Sequence, residues 1–462
     1  MTAIEISPLA KNRKLLTFIL SMLAAIGITW LLHEPGFKEA QTHVLFLLLF
    51  SVGLWLTEAV PPFSVGLLII AFLVYTLGYE NFTATPVDIR IYTNTFSSSV
   101  IWLMLGGFFL ASAMTKTKLD VDLIRVTLKV CGTNPKRILF GLMAITMIAS
   151  MLISNTATTA MVVAALMPLL SKLGKKSPVT KAMILGIPIA ATTGGMGTMI
   201  GSPPNAIAVG ELVSVGKPID FIGWILYGLP VTMALTTLAW WVLVKMFMKK
   251  VEPMPLDNLV SDKSATTRDS SALQRWIVII VLSATLLLWL TSPFHSLSAA
   301  AVSAIPLVLL PLTQILKGED IRAMGWDTLL LVAGGLALGT ALQQTELLDL
   351  YAERIAGLEV PNLVFLFLLA YATMLFSNIM SNTATSTVLI PLGMAILPNN
   401  QVEVAMIIGL SASTALFLPV STPPNAIAYS TGLIEQKDFR IGGLLVGLIG
   451  PAIITLWALL IS

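Results

Sequence analysis

The chain of 462 residues is 56% hydrophobic and 11% charged, with a formal net charge of +3 and a mean hydropathy of +0.89. Soluble domains carry about 25% charged residues, so this composition excludes a soluble globular domain and specifies an all-α polytopic membrane protein. The single cysteine, Cys131, lies in a cationic loop, which excludes an internal disulfide and leaves it without a partner for a metal site.

In chain order, a short basic stretch of Lys11, Arg13 and Lys14 precedes an apolar run over 15–32. No small-residue cleavage site follows it, so it reads as a retained first helix and not as a signal peptide. A hydrocarbon core about 30 Å thick requires roughly 20 helical residues. Further spans are predicted at 43–60, 63–79, 98–115, 182–209, 219–244, 276–292, 297–316, 327–343, 402–430 and 441–461, eleven transmembrane helices in all. Trp30, Trp55, Trp224, Trp276 and Trp326 fall near span ends, where interfacial anchors sit.

Two other apolar segments, 137–173 and 362–397, are each interrupted by SNTAT, at Ser154–Thr158 and Ser381–Thr385. In the first, about 16 apolar residues precede the polar word and about 17 follow it, so neither half comfortably crosses a ~30 Å core. This predicts two re-entrant hairpins whose polar tips meet near mid-membrane. Irregular backbone at that depth is allowed only where it lines a cavity or is buried in protein.

Cytoplasmic connections collect Lys and Arg. With the N-terminus inside and both hairpins returning to their side of origin, residues 11–14, 116–137, 172–181, 245–275, 317–322 and 437–440 carry 3, 6, 4, 6, 2 and 2 of the 27 cationic residues. Only Lys38, Arg90, Lys217 and Arg354 fall on the other side. Making either hairpin a full span would invert everything after it and destroy the separation. The N-terminus is therefore expected inside and the C-terminus outside, with hairpin 137–173 reaching in from the cytoplasm and 362–397 from outside.

The duplication extends beyond SNTAT. LMLGGFFLASAM (Leu103–Met114) matches LVAGGLALGTAL (Leu331–Leu342), and GSPPNAIA (Gly201–Ala208) matches STPPNAIA (Ser421–Ala428). From the first glycine to the SNT serine is 48 residues in one half and 47 in the other; from the SNT asparagine to the PPN asparagine is 50 and 43. After an N-terminal tail and first helix (1–42), repeat one spans 43–250, a cytoplasmic linker 251–275, and repeat two 276–462. Five crossings per repeat invert the second relative to the first, a signature of secondary transporters.

PPN lies inside two predicted helices too long for one straight crossing, and paired prolines break a helix. Broken ends present free N–H groups that suit an anion and free carbonyls that suit a cation. Ser154, Asn155, Thr156, Ser202, Asn205, Ser381, Asn382, Thr383, Thr422 and Asn425 add neutral donors and acceptors, with no Arg, Lys or His among them. A multivalent anion held this way needs accompanying cations. Ser150 and Ser377, one helical turn before the motif serines, add oxygen ligands of the kind a small hard cation takes, and Na+ is the natural candidate.

Other machinery has little support. There is no P-loop lysine signature, and GGMGTMIG (Gly194–Gly201) follows no strand. His33, His43 and His295 lie at span ends, which argues against an intramembrane hydrolase. Glu58, Asp120, Asp122 and Asp327 lie near the interfaces, and span centres nearly lack the ionisable residues that proton relays use, which ranks sodium coupling above proton coupling.

The paired SNT motifs, the paired PPN motifs and WLTEAVPP (Trp55–Pro62) together resemble the divalent anion/sodium symporters, the family of INDY-like dicarboxylate transporters, over essentially the whole chain. The resemblance implies a homodimer in the cell (inner) membrane. Each protomer would have a scaffold domain (15–115 with 219–343) and a transport domain (137–209 with 362–461) that moves as an elevator. It places the substrate carboxylates on Asn155, Thr156, Ser202, Pro203, Asn382, Thr383, Thr422 and Pro423. One sodium is implied among Ser150, Ser154, Asn155 and Gly201, the other among Ser377, Ser381, Asn382 and Ser421. Ser421 departs from the small residue such as alanine expected there.

The resulting expectation is sodium-coupled symport of C4-dicarboxylates such as succinate, malate or fumarate. Sodium is co-transported, with no organic cofactor, no nucleic-acid partner and no enzymatic activity. A sodium-independent dicarboxylate or citrate exchanger and a sodium/sulfate symporter are the alternatives.

Overall fold

The structure is a computed structural model that describes residues 8–249, 271–348 and 360–461. Most of the linker predicted at 251–275 and Arg354 lie outside the described residues. Among those described, every regular element is a helix, as the composition requires. Among the described residues, ten helices are long and apolar enough to cross a membrane, and Pro62–Leu77 and Ala299–Leu312 are shorter apolar helices.

The helices of eight residues or more, in chain order, are α1 (Pro8–Leu32), α2 (Glu39–Thr57), α3 (Pro62–Leu77), α4 (Ser99–Lys116), α5 (Leu119–Cys131), α6 (Pro135–Ser150), α7 (Asn155–Leu173), α8 (Pro178–Gly194) and α9 (Pro203–Ser214). They continue as α10 (Phe221–Phe247), α11 (Ala272–Leu290), α12 (Ala299–Leu312), α13 (Trp326–Gln344), α14 (Asn362–Ile379), α15 (Asn382–Ile396), α16 (Gln401–Ser411), α17 (Pro423–Ser430) and α18 (Leu448–Ile461).

SNTAT divides each predicted hairpin into two helices, α6–α7 and α14–α15, and the members of each pair pack together. At 19 and 18 residues, α7 and α14 are long enough by themselves to reach across a membrane. Length alone therefore does not set their course.

The predicted helices 182–209 and 402–430 are both broken, but the break precedes the prolines. α8 ends in a 3-10 turn at Gly195–Gly197 and α16 in one at Ala412–Thr414; after short non-helical stretches, α9 and α17 begin on Pro203 and Pro423. Proline suits the first helical position, because its missing N–H has no partner there and its fixed φ is already helical. The prolines start new helices instead of kinking old ones.

The duplicated glycines mark close helix crossings. A Cβ on Gly66 (α3) would lie 2.7 Å from the Leu330 carbonyl oxygen of α13, and Gly66 in turn faces Gly334. A Cβ on Gly106 would lie 2.6 Å from Ser303 Cβ of α12. Their neighbours point the other way: Gly107 meets Ile200 in the first break, and Gly335 meets Thr387 of α15. Each Gly-Gly pair thus packs one residue among α3, α4, α12 and α13 and the other against the SNT and PPN elements.

Two of the tryptophans expected as interfacial anchors are core residues instead. Trp55 and Trp224 are buried, and Trp224 Nε1–H donates to the Met196 carbonyl at 3.0 Å. A buried indole needs a partner for its N–H, and the broken helix supplies one. Trp30, Trp276 and Trp326 are exposed. Glu58, in the WLTEAVPP motif, ends α2 in the left-handed conformation at φ 49°.

Candidate functional site

Each SNT forms a helix start. Ser154 caps α7, its Oγ accepting from Ala157 N–H at 3.2 Å, and Ser381 caps α15, accepting from Ala384 N–H at 3.1 Å. Thr422 caps α17 by accepting from Asn425 N–H at 3.3 Å, while Ser202 stands at the same position before α9. A serine or threonine side chain here satisfies one of the donors that a helix start leaves free.

These four helix starts line one cavity of about 740 Å³. From the SNT helix starts it receives Asn155, Thr156, Asn382 and Thr383, and from the breaks Ser202, Pro203, Thr422 and Pro423. All eight residues expected to meet substrate are brought together. α17 packs against α7 and α8, and α9 packs against α15 and α16, so each break reaches across to the other half of the chain. A helix start carries about half a positive charge, and four of them around one space favour an anion without any fixed cation.

The cavity is also lined by α4, the connection before α13 and the first turn of α13, through Ser112, Thr115, Lys116, Asp320, Asp327 and Thr328. Lys116 is ion-paired with Asp320. Burial raises the pKa of the Asp320 carboxyl, but hydrogen bonds from Lys116 and the Lys317 backbone N–H outweigh it and hold it below the ordinary carboxylate value. The lysine is thereby neutralised, and the cavity has no free positive charge beside the substrate residues.

The residues expected to bind cations divide between the cavity surface and the layer behind it. Ser154, Asn155, Gly201, Ser381, Asn382 and Ser421 line the cavity; Ser150 and Ser377 are fully buried. One end of the Asn155 amide lies 2.6 Å from Ser150 Oγ. With nitrogen at that end, it donates to Ser150 Oγ and to the carbonyls of Ala191 (3.1 Å) and Gly201 (3.3 Å); turned over, it adds a fourth oxygen to those three. In repeat two, the buried Ser377 Oγ and Asn382 Oδ1 have no hydrogen-bond partner. Other buried hydroxyls, Ser51 and Thr180 among them, also lack a partner, but these two oxygens belong to the SNT element that lines the cavity, where they suit a small oxygen-seeking cation. The described residues contain no cluster of three His, Cys, Asp or Glu side chains that could hold a metal ion, so any cation bound here would meet neutral oxygens.

Behind the site, the two PPN asparagines act as matched struts. Asn205 Nδ2 donates to the carbonyls of Gly195 (2.8 Å) and Thr198 (2.7 Å), and Asn425 Nδ2 to those of Leu416 (3.4 Å) and Leu418 (3.0 Å). They hold the non-helical stretch of each break closed over its own helix start.

Residues 13–461 match the family model described as the sodium:sulfate symporter transmembrane region. The chain belongs to this family of divalent anion/sodium symporters. The symporter-family chain is 28% identical to the sodium-dependent dicarboxylate transporter SdcS of Staphylococcus saprophyticus, over 93% of this chain and 88% of that protein. It is 26% identical to SdcS of Staphylococcus aureus, over 96% and 90%, and 29% identical to an uncharacterised transporter of Haemophilus influenzae, over 97% of each. Among solved structures, the fold is similar to MtrF of Neisseria gonorrhoeae (TM-score 0.55, 11% identity, 88% of this chain and 96% of that one). It is also similar to the YdaH transporter of Alcanivorax borkumensis (TM-score 0.52, 14% identity, 87% and 97%). The protein is a multi-pass membrane transporter and not an enzyme.

Three residues of this symporter-family chain escaped the sequence reading. Glu211, only 1% exposed, is buried in α9 where it abuts Gly339 of α13, and it accepts from Gln343 Nε2 at 3.3 Å. It lies two residues beyond the predicted end of span 182–209, so the survey of span centres passed it by. Thr198 and Asn378 were overlooked because neither belongs to a repeated word, although Asn378 does stand out as a polar residue beside Ser377 in an apolar run.

Proposed function

We propose that this symporter-family protein imports C4-dicarboxylates such as succinate, malate or fumarate together with sodium. The observation that carries the reading is the convergence of four helix starts, two from SNT and two from PPN, on one cavity without free positive charge, backed by buried unpaired oxygens. Relatives named sodium-dependent dicarboxylate transporters, similar over nearly the whole chain, support the same substrate class.

In this reading one carboxylate meets Asn155 and Thr156 and the other Asn382 and Thr383, with Ser202, Pro203, Thr422 and Pro423 closing the site. One sodium is held by Ser150, Ser154, Asn155 and the Gly201 backbone, the second by Ser377, Ser381, Asn382 and the Ser421 backbone. The chain has eleven spans and two re-entrant hairpins in inverted repeats, 43–250 and 276–462, with its N-terminus inside and C-terminus outside the cell membrane. A scaffold of 15–115 with 219–343 forms the homodimer, and 137–209 with 362–461 moves as an elevator. Lys116 and Asp320 at the cavity wall lie at the side that the cation distribution assigns to the cytoplasm, so in this reading the cavity extends toward that side.

The carboxylates and the sodium ions meet different atoms, which gives separable effects. Ser150→Ala and Ser377→Ala each raise the sodium concentration for half-maximal uptake by about five- to tenfold, with a smaller change in succinate KM at saturating sodium. Equal shifts in both quantities would place these serines on the anion instead.

Competition distinguishes the substrate classes. Succinate, malate and fumarate are expected to suppress labelled succinate uptake while sulfate and citrate do not. Suppression by sulfate alone would favour the sodium/sulfate reading.

A further inference from the structure

The two halves of the site are tied together differently, through Thr198 and Met151 in one and Asn378 and Ser421 in the other. In repeat one, Thr198 Oγ1–H in the break donates to the backbone carbonyl of Met151 at the hairpin tip. By the spacing of the duplicated motifs, Thr198 corresponds to Leu418 and Met151 to Asn378. Repeat two has therefore lost the donating hydroxyl from its break and gained an amide at its tip.

That amide makes the missing connection. Asn378 Oδ1 accepts from Phe417 N–H at 3.1 Å and from Ser421 Oγ–H at 2.8 Å. Ser421 Oγ in turn accepts from Leu418 N–H at 3.0 Å, and Asn378 Nδ2 donates to the Met374 carbonyl within α14 at 2.9 Å. Gly201, the counterpart of Ser421, has no room for such a side chain, since a Cβ there would lie 2.6 Å from the Gly195 carbonyl oxygen.

The tie has a consequence for the neighbouring residues. Asn378 follows Ser377, whose buried Oγ has no partner, and Ser421 carries the backbone expected on the same cation. The Ser421 hydroxyl gives one hydrogen bond to Asn378 and receives one from Leu418 N–H, so its part in this tie is to position the Ser421 backbone. Oxygens fixed before binding bind more tightly, because less ordering is left for the ion to impose.

We propose that Asn378 and Ser421 form a positioning brace for the second sodium site, replacing the Thr198–Met151 tie of the first. The brace joins the end of α14 to the break before α17 and fixes Ser377 and the Ser421 backbone relative to each other. The inference rests on the sodium-coupled reading above.

The test is sodium activation of succinate uptake by the full chain in proteoliposomes. Asn378→Met raises the half-maximal sodium concentration about fivefold or more, as expected for lost hydrogen bonds, with succinate KM at saturating sodium changed less than about twofold. Adding Leu418→Thr rebuilds the repeat-one tie in repeat two, since a carbonyl in the last turn of a helix is free to accept, and returns the sodium requirement to within about twofold of wild type. An unshifted sodium requirement in Asn378→Met overturns the brace, as does a double variant no better than the single one. If Asn378→Met gives no uptake at any sodium concentration, Ser421→Gly decides: a rise of about threefold or more supports the brace, and no rise overturns it. Wild-type uptake indifferent to sodium would be a distinct result, removing the sodium reading and this inference with it.

Discussion

Asn382→Asp and Asn155→Asp each lower dicarboxylate kcat/KM by about a thousandfold. Each change is nearly isosteric and adds one negative charge where a substrate carboxylate is expected. Two like charges about 4 Å apart at an effective dielectric constant near 20 repel by roughly 4 kcal/mol, equivalent to about three decades in affinity. Both asparagines occupy the first position of a helix, where an acidic side chain is favoured by roughly 0.3–1 kcal/mol, so the fold is expected to survive. Thr156→Val and Thr383→Val remove one hydroxyl each at constant shape and should cost only about five- to thirtyfold. Initial uptake rates in proteoliposomes, paired with melting temperatures of the purified variants, check both expectations. Aspartate variants that fold and retain uptake within tenfold of wild type would move the substrate away from the hairpin tips.

Gly335→Leu slows uptake strongly while leaving substrate binding in place. A Cβ at this position would lie 2.8 Å from Thr387 Oγ1 and 3.1 Å from its Cγ2, so a leucine drives α13 into α15. Overpacking of this kind costs about 1–3 kcal/mol. In the proposed mechanism it acts where the moving and static domains pass each other, which makes the barrier to movement its main target. A loss of about thirty- to a hundredfold in uptake is expected, with the sodium-dependent rise in melting temperature on adding succinate retained. Gly107→Leu, which would crowd Ile200, is expected to act alike because it stands at the matching point of the other repeat. Equal loss of binding and uptake would instead make these glycines part of the binding site.

The site was legible in the sequence because its parts are written twice. A single SNT or PPN is compatible with an ordinary turn, but two ordered pairs at matched spacing had to come from one duplicated device, and the structure gathers all eight expected substrate residues around one cavity. The breaks were legible as well, though their exact form was not: counting apolar residues put the prolines inside long helices, whereas the chain turns before them and uses them as helix starts. Trp55 and Trp224 were misplaced for a related reason. Position near a span end says nothing about which way a side chain faces, and both face inward.

What stayed hidden depends on contacts between elements far apart in sequence. The Thr198–Met151 and Asn378–Ser421 ties connect the turn before each SNT helix to a break 47 and 43 residues away; the break donates in both, but the acceptor is a backbone carbonyl in one and a side-chain amide in the other, so no shared word marks them. Glu211 stayed hidden because it lies just past the predicted end of span 182–209, where a carboxylate reads as an interfacial residue. Its burial against Gly339 and Gln343 emerges only once α9 and α13 are packed together.

In the proposed function, a sodium gradient drives dicarboxylate import through this cavity. The most direct test is uptake of labelled succinate into proteoliposomes loaded without dicarboxylate, with sodium outside and an equal concentration of choline inside, compared with choline on both sides. Accumulation above equilibrium only under the sodium gradient, collapsing when a sodium ionophore is added, is the predicted result. Equal uptake in both conditions, or uptake that appears only when dicarboxylate is preloaded inside, would contradict it and establish an exchanger.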